Sequence, residues 1–200
     1  MGYESPMPVQ EEVIPFLLGD DNDVIALAQT GTGKTAAFGL PILQKIDVTT
    51  YHPQALVLCP TRELCLQIAD DLNDYSKYID NLKVLPVYGG SSIESQIKTL
   101  KRGVHVVVAT PGRLLDLMNR KTVDLSLVKN VIMDEADEML NMGFTDSINA
   151  ILAEVPENRN MLLFSATMPK EIANITKKYM KNPKEIVIGN KNEGNKNIRD

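Results

Sequence analysis

Short apolar, β-branched runs alternate along this chain with longer amphipathic stretches. The runs at 23–28, 54–59, 82–88, 104–109, 130–134, 160–165 and 185–188 have the length and make-up of strands. Some are apolar at every position, as in Val106-Val107-Val108, which suits strands covered on both faces. Between the runs the period lengthens. Leu64, Ile68 and Leu72 recur every four residues, and Ile93, Ile97 and Leu100 follow an i, i+4, i+7 stripe, so each set lines one face of a helix. Ser91, with Glu94 three residues on, has capping-box form and predicts the start of the second of these helices. Alternation of this kind predicts βαβ units. The expected class is α/β, with a mostly parallel, twisted sheet of about seven strands and helices on both faces. Past residue 188 the apolar content falls away and Asn, Lys and Gly take over, so 1–188 reads as the domain and 189–200 as a linker or frayed end.

Composition narrows the class without naming a function. Two hundred residues, 44% hydrophobic and 24% charged, can build one core without staples and do not suit a disordered chain, a collagen or a disulfide scaffold. No run is long and apolar enough for a membrane span, and the first residues lack a basic-then-apolar leader, so a cytoplasmic setting is expected. Cys59 and Cys65 have no metal-ligand company. The net charge of −5 gives no overall attraction to nucleic acid, so any such contact has to be local. The one basic stretch, from Lys177 onward, reads as a solvated helix end.

The strongest local chemistry follows the first strand. Ala28-Gln29-Thr30-Gly31-Thr32-Gly33-Lys34-Thr35 is a Walker A loop between a strand and a helix, with Ala28 where the general pattern has Gly. Its glycines let successive N–H groups turn toward phosphate oxygens, and the following helix adds its positive end. Lys34 supplies a point charge for the β and γ phosphates and Thr35 a hydroxyl for Mg²⁺. A second apolar run ends in Asp134-Glu135-Ala136-Asp137. There Asp134 can hold the metal and Glu135 can orient or deprotonate the attacking water. Acidic residues favour a helix start on their own account, but beside a Walker A loop the catalytic reading is the stronger.

Three further strands run into expected helix starts: Pro60-Thr61-Arg62-Glu63-Leu64, Thr110-Pro111-Gly112-Arg113 and Ser165-Ala166-Thr167-Met168-Pro169. Each offers a Thr as a possible N-cap, and the latter two carry Pro near the first turn. In a parallel sheet these ends share one edge. Helix N-termini with Arg62 and Arg113 make a track for phosphates spaced along a strand, reading backbone rather than bases.

The ordered set (2–10, 28–35, 60–64 with Gln67, Gly89-Gly90, 110–113, 134–137 and 165–167) resembles the N-terminal RecA-like domain of bacterial DEAD-box ATP-dependent RNA helicases. The resemblance covers nearly the whole chain and includes the literal Asp-Glu-Ala-Asp. It implies a P-loop fold, RNA-stimulated ATP hydrolysis with Mg²⁺, and local unwinding of RNA duplexes or remodelling of RNA–protein complexes. It implies that Tyr3, Gln10, Gln29, Thr30, Gly31, Thr32, Gly33, Lys34 and Thr35 hold ATP, with Gln10 on the adenine edge. It places Pro60, Thr61, Arg62, Gly90, Thr110, Gly112 and Arg113 on the RNA backbone, and makes Asp137, Ser165 and Thr167 the link between nucleotide state and RNA. The chain departs from the family at Met7 (usually Thr), Val9 (usually Ile) and Cys65 (commonly Ala), and begins after the position of the family's adenine-stacking aromatic. The second RecA-like domain, which carries the arginine finger, is a partner expected from the resemblance and does not follow. An arginine finger is worth about 10³–10⁵ in rate. A single, monomeric first domain is therefore expected to bind nucleotide, turn over little and unwind nothing.

Two other readings use the same residues: a different P-loop NTPase, such as a DNA translocase, and an ATP-gated clamp without useful turnover. RNA selectivity through the 2′-hydroxyl separates the first, and turnover with a supplied second domain separates the second. His52 and His105 are expected to be structural, and Met139, Met142 and Met161 to be packing residues. Tyr75, Tyr78 and Tyr88 are expected half-buried, and 140–144 to pack the acidic helix onto the sheet.

Overall fold

The computed structural model describes residues 23–29 and 34–188. Seven strands form one sheet: β1 (Val24–Ala28), β2 (Ala55–Leu58), β3 (Val84–Val87), β4 (Val106–Ala109), β5 (Asn130–Met133), β6 (Asn160–Ser165) and β7 (Lys184–Ile188). Among the described residues seven helices accompany them: α1 (Lys34–Gln44), α2 (Arg62–Tyr75), α3 (Ile93–Arg102), α4 (Pro111–Asn119), α5 (Ala136–Asn141), α6 (Thr145–Glu154) and α7 (Lys170–Tyr179). The strand order is β3-β4-β2-β5-β6-β1-β7, and every pairing is parallel. The α/β reading is correct, and the strands lie within the expected runs apart from Lys184 at the start of β7.

The period of two in the strands divides the core into two layers. Ile25, Leu56, Leu58, Val107, Val131, Met133 and Leu163 point to one face and pack with α4, α5, α6 and α7. The stripe of Ile93, Ile97 and Leu100 on α3 covers the same face. Val24, Ala26, Val57, Val106, Val108, Ile132, Leu162 and Phe164 point to the other face, under α1 and α2. Pro86 lies in β3, where the missing N–H is tolerated because β3 is an edge strand.

Two polar anchors sit away from the motif edge. Asp23 is buried, and its carboxylate accepts from Met161 N at 2.8 Å and Lys181 N at 2.7 Å, tying the start of β1 to β6 and to the approach of β7. His105 is fully buried; its Nδ1 accepts from Lys83 N at 3.0 Å, which puts the proton on Nε2, 3.0 Å from the Val48 carbonyl. Its role is structural, as expected.

Local chemistry departs from the sequence reading at several places. The cap of α3 is Ser92, whose side chain accepts from Ser95 N, and not Ser91. Ser91 turns back instead to donate to the Tyr88 carbonyl at 3.3 Å. Thr61 caps α2 by accepting from Leu64 N at 3.2 Å, whereas Thr110 begins α4 without a side-chain cap, beside Pro111. Thr167 caps nothing: α7 starts after Pro169, because the Thr167 hydroxyl is taken by Asp137. Met139 and Met161 are core residues, but Met142 is exposed, and Tyr78 is 87% exposed rather than half-buried. The tail 189–200 lies outside the described residues.

Candidate functional site

Strand order decides which motifs meet. Strands β5, β6 and β1 are adjacent, with Leu27 beside Ser165 and Met133 beside Leu163. Their C-terminal ends therefore place Lys34, the 134–137 segment and the 165–167 segment side by side. Strands β3, β4 and β2 form the other half, with Val87 beside Ala109 and Leu58 beside Ala109. Their ends present Gly89-Gly90, Thr110–Arg113 and Pro60–Arg62. One backbone bond beyond each ladder fixes these starts: Asp134 N to Leu58 O at 2.8 Å, Cys59 N to Ala109 O at 3.0 Å and Thr110 N to Val87 O at 2.9 Å.

In the first half, Lys34 opens α1 and its Nζ lies 3.0 Å from Asp134 Oδ1, an ion pair across 100 residues of sequence with both side chains buried. The same Nζ stands 5.6 Å from the centre of the Phe164 ring, which tilts against Phe38. Asp134 Oδ1 also accepts from Glu135 N at 2.9 Å. That bond goes with an unusual backbone: Glu135 has φ 50° and ψ 52°, the left-handed region, and serves as the residue before α5. Burial pushes the Glu135 carboxyl above its ordinary range, the Asp134 charge adds to this, and Lys34 offsets part of it. A carboxyl tuned upward in this way is a better proton acceptor than an exposed one.

Asp137 joins this half to the next loop. Its Oδ2 accepts from Thr167 N at 3.1 Å and from Thr167 Oγ1 at 2.9 Å, while Ser165 Oγ donates to Thr167 O at 2.6 Å. A cavity of about 140 Å³ opens among Lys34, Glu135, Asp137, Glu138, Phe164 and Ser165. It is sized for phosphate groups rather than a whole nucleotide. A larger cleft of about 460 Å³ between α4 and α6 contains none of the motif residues predicted to act on nucleotide or RNA.

The donor set fits a phosphate-bound cation. Lys34 and the N-terminus of α1 are positive, and Thr35 sits in the first turn of that helix. Magnesium carried on phosphate needs only one or two protein oxygens. Asp134 Oδ2, which has no partner among the described residues, and the Thr35 hydroxyl meet that need.

In the second half, the Arg62 guanidinium stacks 5.0 Å from the centre of the Tyr88 ring. Gly90 has φ 84°, and a Cβ there would meet Arg62 Nη1 at 3.9 Å, so the turn stays open beside the arginine. Arg113 Nη1 donates to Ser91 O and to Gln96 Oε1, both at 3.1 Å. Gln96 Nε2 donates in turn to Tyr88 O at 3.2 Å and to Ser91 Oγ at 2.8 Å. Sequence reasoning missed Gln96. It is the one residue of α3 that is fully buried, and its signal was faint: a single amide within a polar helix. Pro60 and Thr110 are buried, Arg62, Gly90 and Gly112 are exposed, and Thr61 and Arg113 are half-buried. Gln29 is exposed at the end of β1, whereas Tyr3, Gln10, Thr30, Gly31, Thr32 and Gly33 lie outside the described residues.

The family profile of the DEAD/DEAH box helicases matches residues 7–175. The chain belongs to this family. It is 52% identical over 198 residues to the ATP-dependent RNA helicase DeaD of Mycobacterium tuberculosis, covering 99% of this chain and 35% of that one. It is 50% identical over 188 residues to the DeaD of Escherichia coli K12, covering 94% and 30%. A crystal structure of a DEAD box protein from the hyperthermophile Methanococcus jannaschii superposes with a TM-score of 0.89 at 46% identity, covering 94% of this chain and 51% of the other. The chain thus spans about a third of the length of the curated DEAD-box relatives it matches. The RecA-like expectation is met by these neighbours and by the all-parallel sheet.

Proposed function

We propose that residues 1–188 are the nucleotide-binding RecA-like domain of an ATP-dependent RNA helicase, and that 189–200 begin the linker to a second such domain. The observation that carries this reading is the buried Lys34–Asp134 ion pair. A buried pair of this kind gains little stability from its own attraction. It does hold a cation and a carboxylate ready where phosphate and Mg²⁺ are to be received. Bound ATP with Mg²⁺ would supply the phosphoanhydride and the charge that activates it. Lys34 would leave Asp134 for phosphate oxygens, and Asp134 with Thr35 would hold the cation. Glu135 takes a proton from water at its carboxylate. Asp137 senses this through Thr167 and Ser165, whose loop lies next to Lys34. Along the other half of the edge, Arg62, Gly90, Thr110, Gly112 and Arg113, with Pro60 and Thr61 shaping the loop, bind an RNA backbone with weak sequence preference. The reading includes a monomeric domain in the cytoplasm; no helix among the described residues is long and apolar enough to cross a membrane.

The test is nucleotide binding and steady-state ATP hydrolysis, with and without single-stranded RNA, comparing the wild type with Lys34→Ala and Glu135→Gln. Binding that falls at least about tenfold in Lys34→Ala, with negligible turnover throughout, supports the reading. Absence of nucleotide binding overturns it. Substantial RNA-stimulated, Glu135-dependent turnover overturns the claim that catalysis needs the second domain.

A further inference from the structure

Cys59 and Cys65 bracket the Pro60-Thr61-Arg62 loop, Cys59 just past β2 and Cys65 at the start of α2. Both are free thiols, fully buried in the same apolar layer. Both sulfurs lie against the end of β4. Cys65 Sγ donates to the Val108 carbonyl at 3.1 Å, and Cys59 Sγ lies 3.7 Å from the next carbonyl, that of Ala109. The neighbouring Cys65 thiol, burial and the charges of Asp134 and Glu135 push the Cys59 thiol up. Neither thiol serves the phosphate, the cation or the RNA track.

Sulfurs seated against adjacent carbonyls of one strand need side-chain rotation and an approach of the helix turn to reach a disulfide separation of about 2.05 Å. The approach has a direction. Cys65 moves with the first turn of α2, and that turn carries Arg62, seated over Tyr88 and beside Gly90. Cover over the pair is thin: Arg62 and Glu63 are exposed and Thr61 is half-buried. Local opening of this one turn admits a small oxidant.

We propose that Cys59 and Cys65 are an oxidisable dithiol, and that closing it draws in the first turn of α2 and withdraws Arg62 from Tyr88. The oxidant class is a hydroperoxide. Cys65, as thiolate, attacks one peroxide oxygen of hydrogen peroxide; the O–O bond breaks, leaving a sulfenic acid and, with one proton, water. The Cys59 sulfur then attacks the Cys65 sulfur. The S–S bond forms, and the hydroxyl departs with the Cys59 proton as a second water. Two thiols lose two electrons in all, and one peroxide becomes two waters. A thiol reductant reverses the change. The consequence for RNA rests on the reading given under Proposed function: the disulfide form is the weaker RNA binder.

The experiment treats the folded chain with hydrogen peroxide beside Cys59→Ala and Cys65→Ala. Expected are a loss of two hydrogens from the intact mass, a Cys59–Cys65 linked peptide on unreduced digestion, and displaced Tyr88 ring resonances by NMR. All are reversed by dithiothreitol and absent from both variants. Affinity for a single-stranded RNA oligonucleotide falls roughly fivefold in the oxidised wild type alone. Thiols that stay reduced while the methionines oxidise, or that end as unbridged sulfinic acid, overturn the proposal. So does a bridge that leaves the Tyr88 resonances unmoved. A reduced wild type that does not bind RNA sinks the RNA reading instead, while mass and NMR still decide the dithiol.

Discussion

Glu135 combines two costs at one residue. Its left-handed backbone, φ 50°, is a region that L side chains other than Asn and Asp rarely adopt. Its carboxyl is also raised by burial and by Asp134. Asn tolerates the backbone and removes the charge, whereas Gln removes only the charge. Glu135→Asn is therefore expected to be more stable than Glu135→Gln by about 0.5–1 kcal/mol, read from urea midpoints; equal midpoints would mean the backbone is unstrained. The titration has its own sign. Because the folded-state value lies above the ordinary 4.5, protonation of Glu135 favours the folded chain. That stabilisation is full below the ordinary value and is lost as pH rises through the folded one. Acidification from neutral should shift the stability difference between wild type and Glu135→Gln in favour of the wild type. A shift the other way would show that Lys34 outweighs burial.

Helices and strands differed in how far they could be read in advance. Strands were legible because burial on both faces demands unbroken apolar runs, and Val106–Ala109 or Val131-Ile132-Met133 satisfy that locally. Helix starts were less legible, because a hydroxyl or carboxylate near a start has several partners to choose from. Ser92 rather than Ser91 caps α3, and Thr167 bonds Asp137 from 30 residues away instead of capping α7. Gln96 was hidden for the same reason: its partners are Tyr88, Ser91 and Arg113, and only the pairing of β3 with β4 brings them together. The far end of α3 gives a sharper test. Gly103 has φ 103°, and a Cβ there would stand 2.6 Å from Tyr51 Cβ and 3.1 Å from the Tyr51 carbonyl oxygen. Gly103→Ala should cost about 2–4 kcal/mol, measured by thermal or urea unfolding. A loss under about 0.5 kcal/mol, ordinary for a surface site, would mean that the 46–54 loop yields freely.

At the scale of the molecule the sheet order separates two groups of side chains along one edge, Lys34 with the acidic segment on β5-β6-β1 and two arginines on β3-β4-β2. The two halves meet where Leu58 of β2 neighbours Met133 of β5. Supplying a second RecA-like domain, fused or in trans, should raise ATP turnover by about 10³–10⁵ if that domain contributes an arginine finger. Unchanged turnover with an otherwise folded partner would refute the division of labour proposed for this chain. The chain's own pattern was enough for the α/β class, the Walker A loop, the acidic segment and the family, because each is built from short local signals, and their order along the chain is itself part of the sequence. It could not determine that Lys34 and Asp134 pair, that Asp137 holds Thr167, that Gln96 positions Arg113, or that Cys59 and Cys65 both lie against the end of β4. Those contacts join segments whose neighbourhood is set by strand order and register, and side chains choose their partners only after the sheet has brought them within reach.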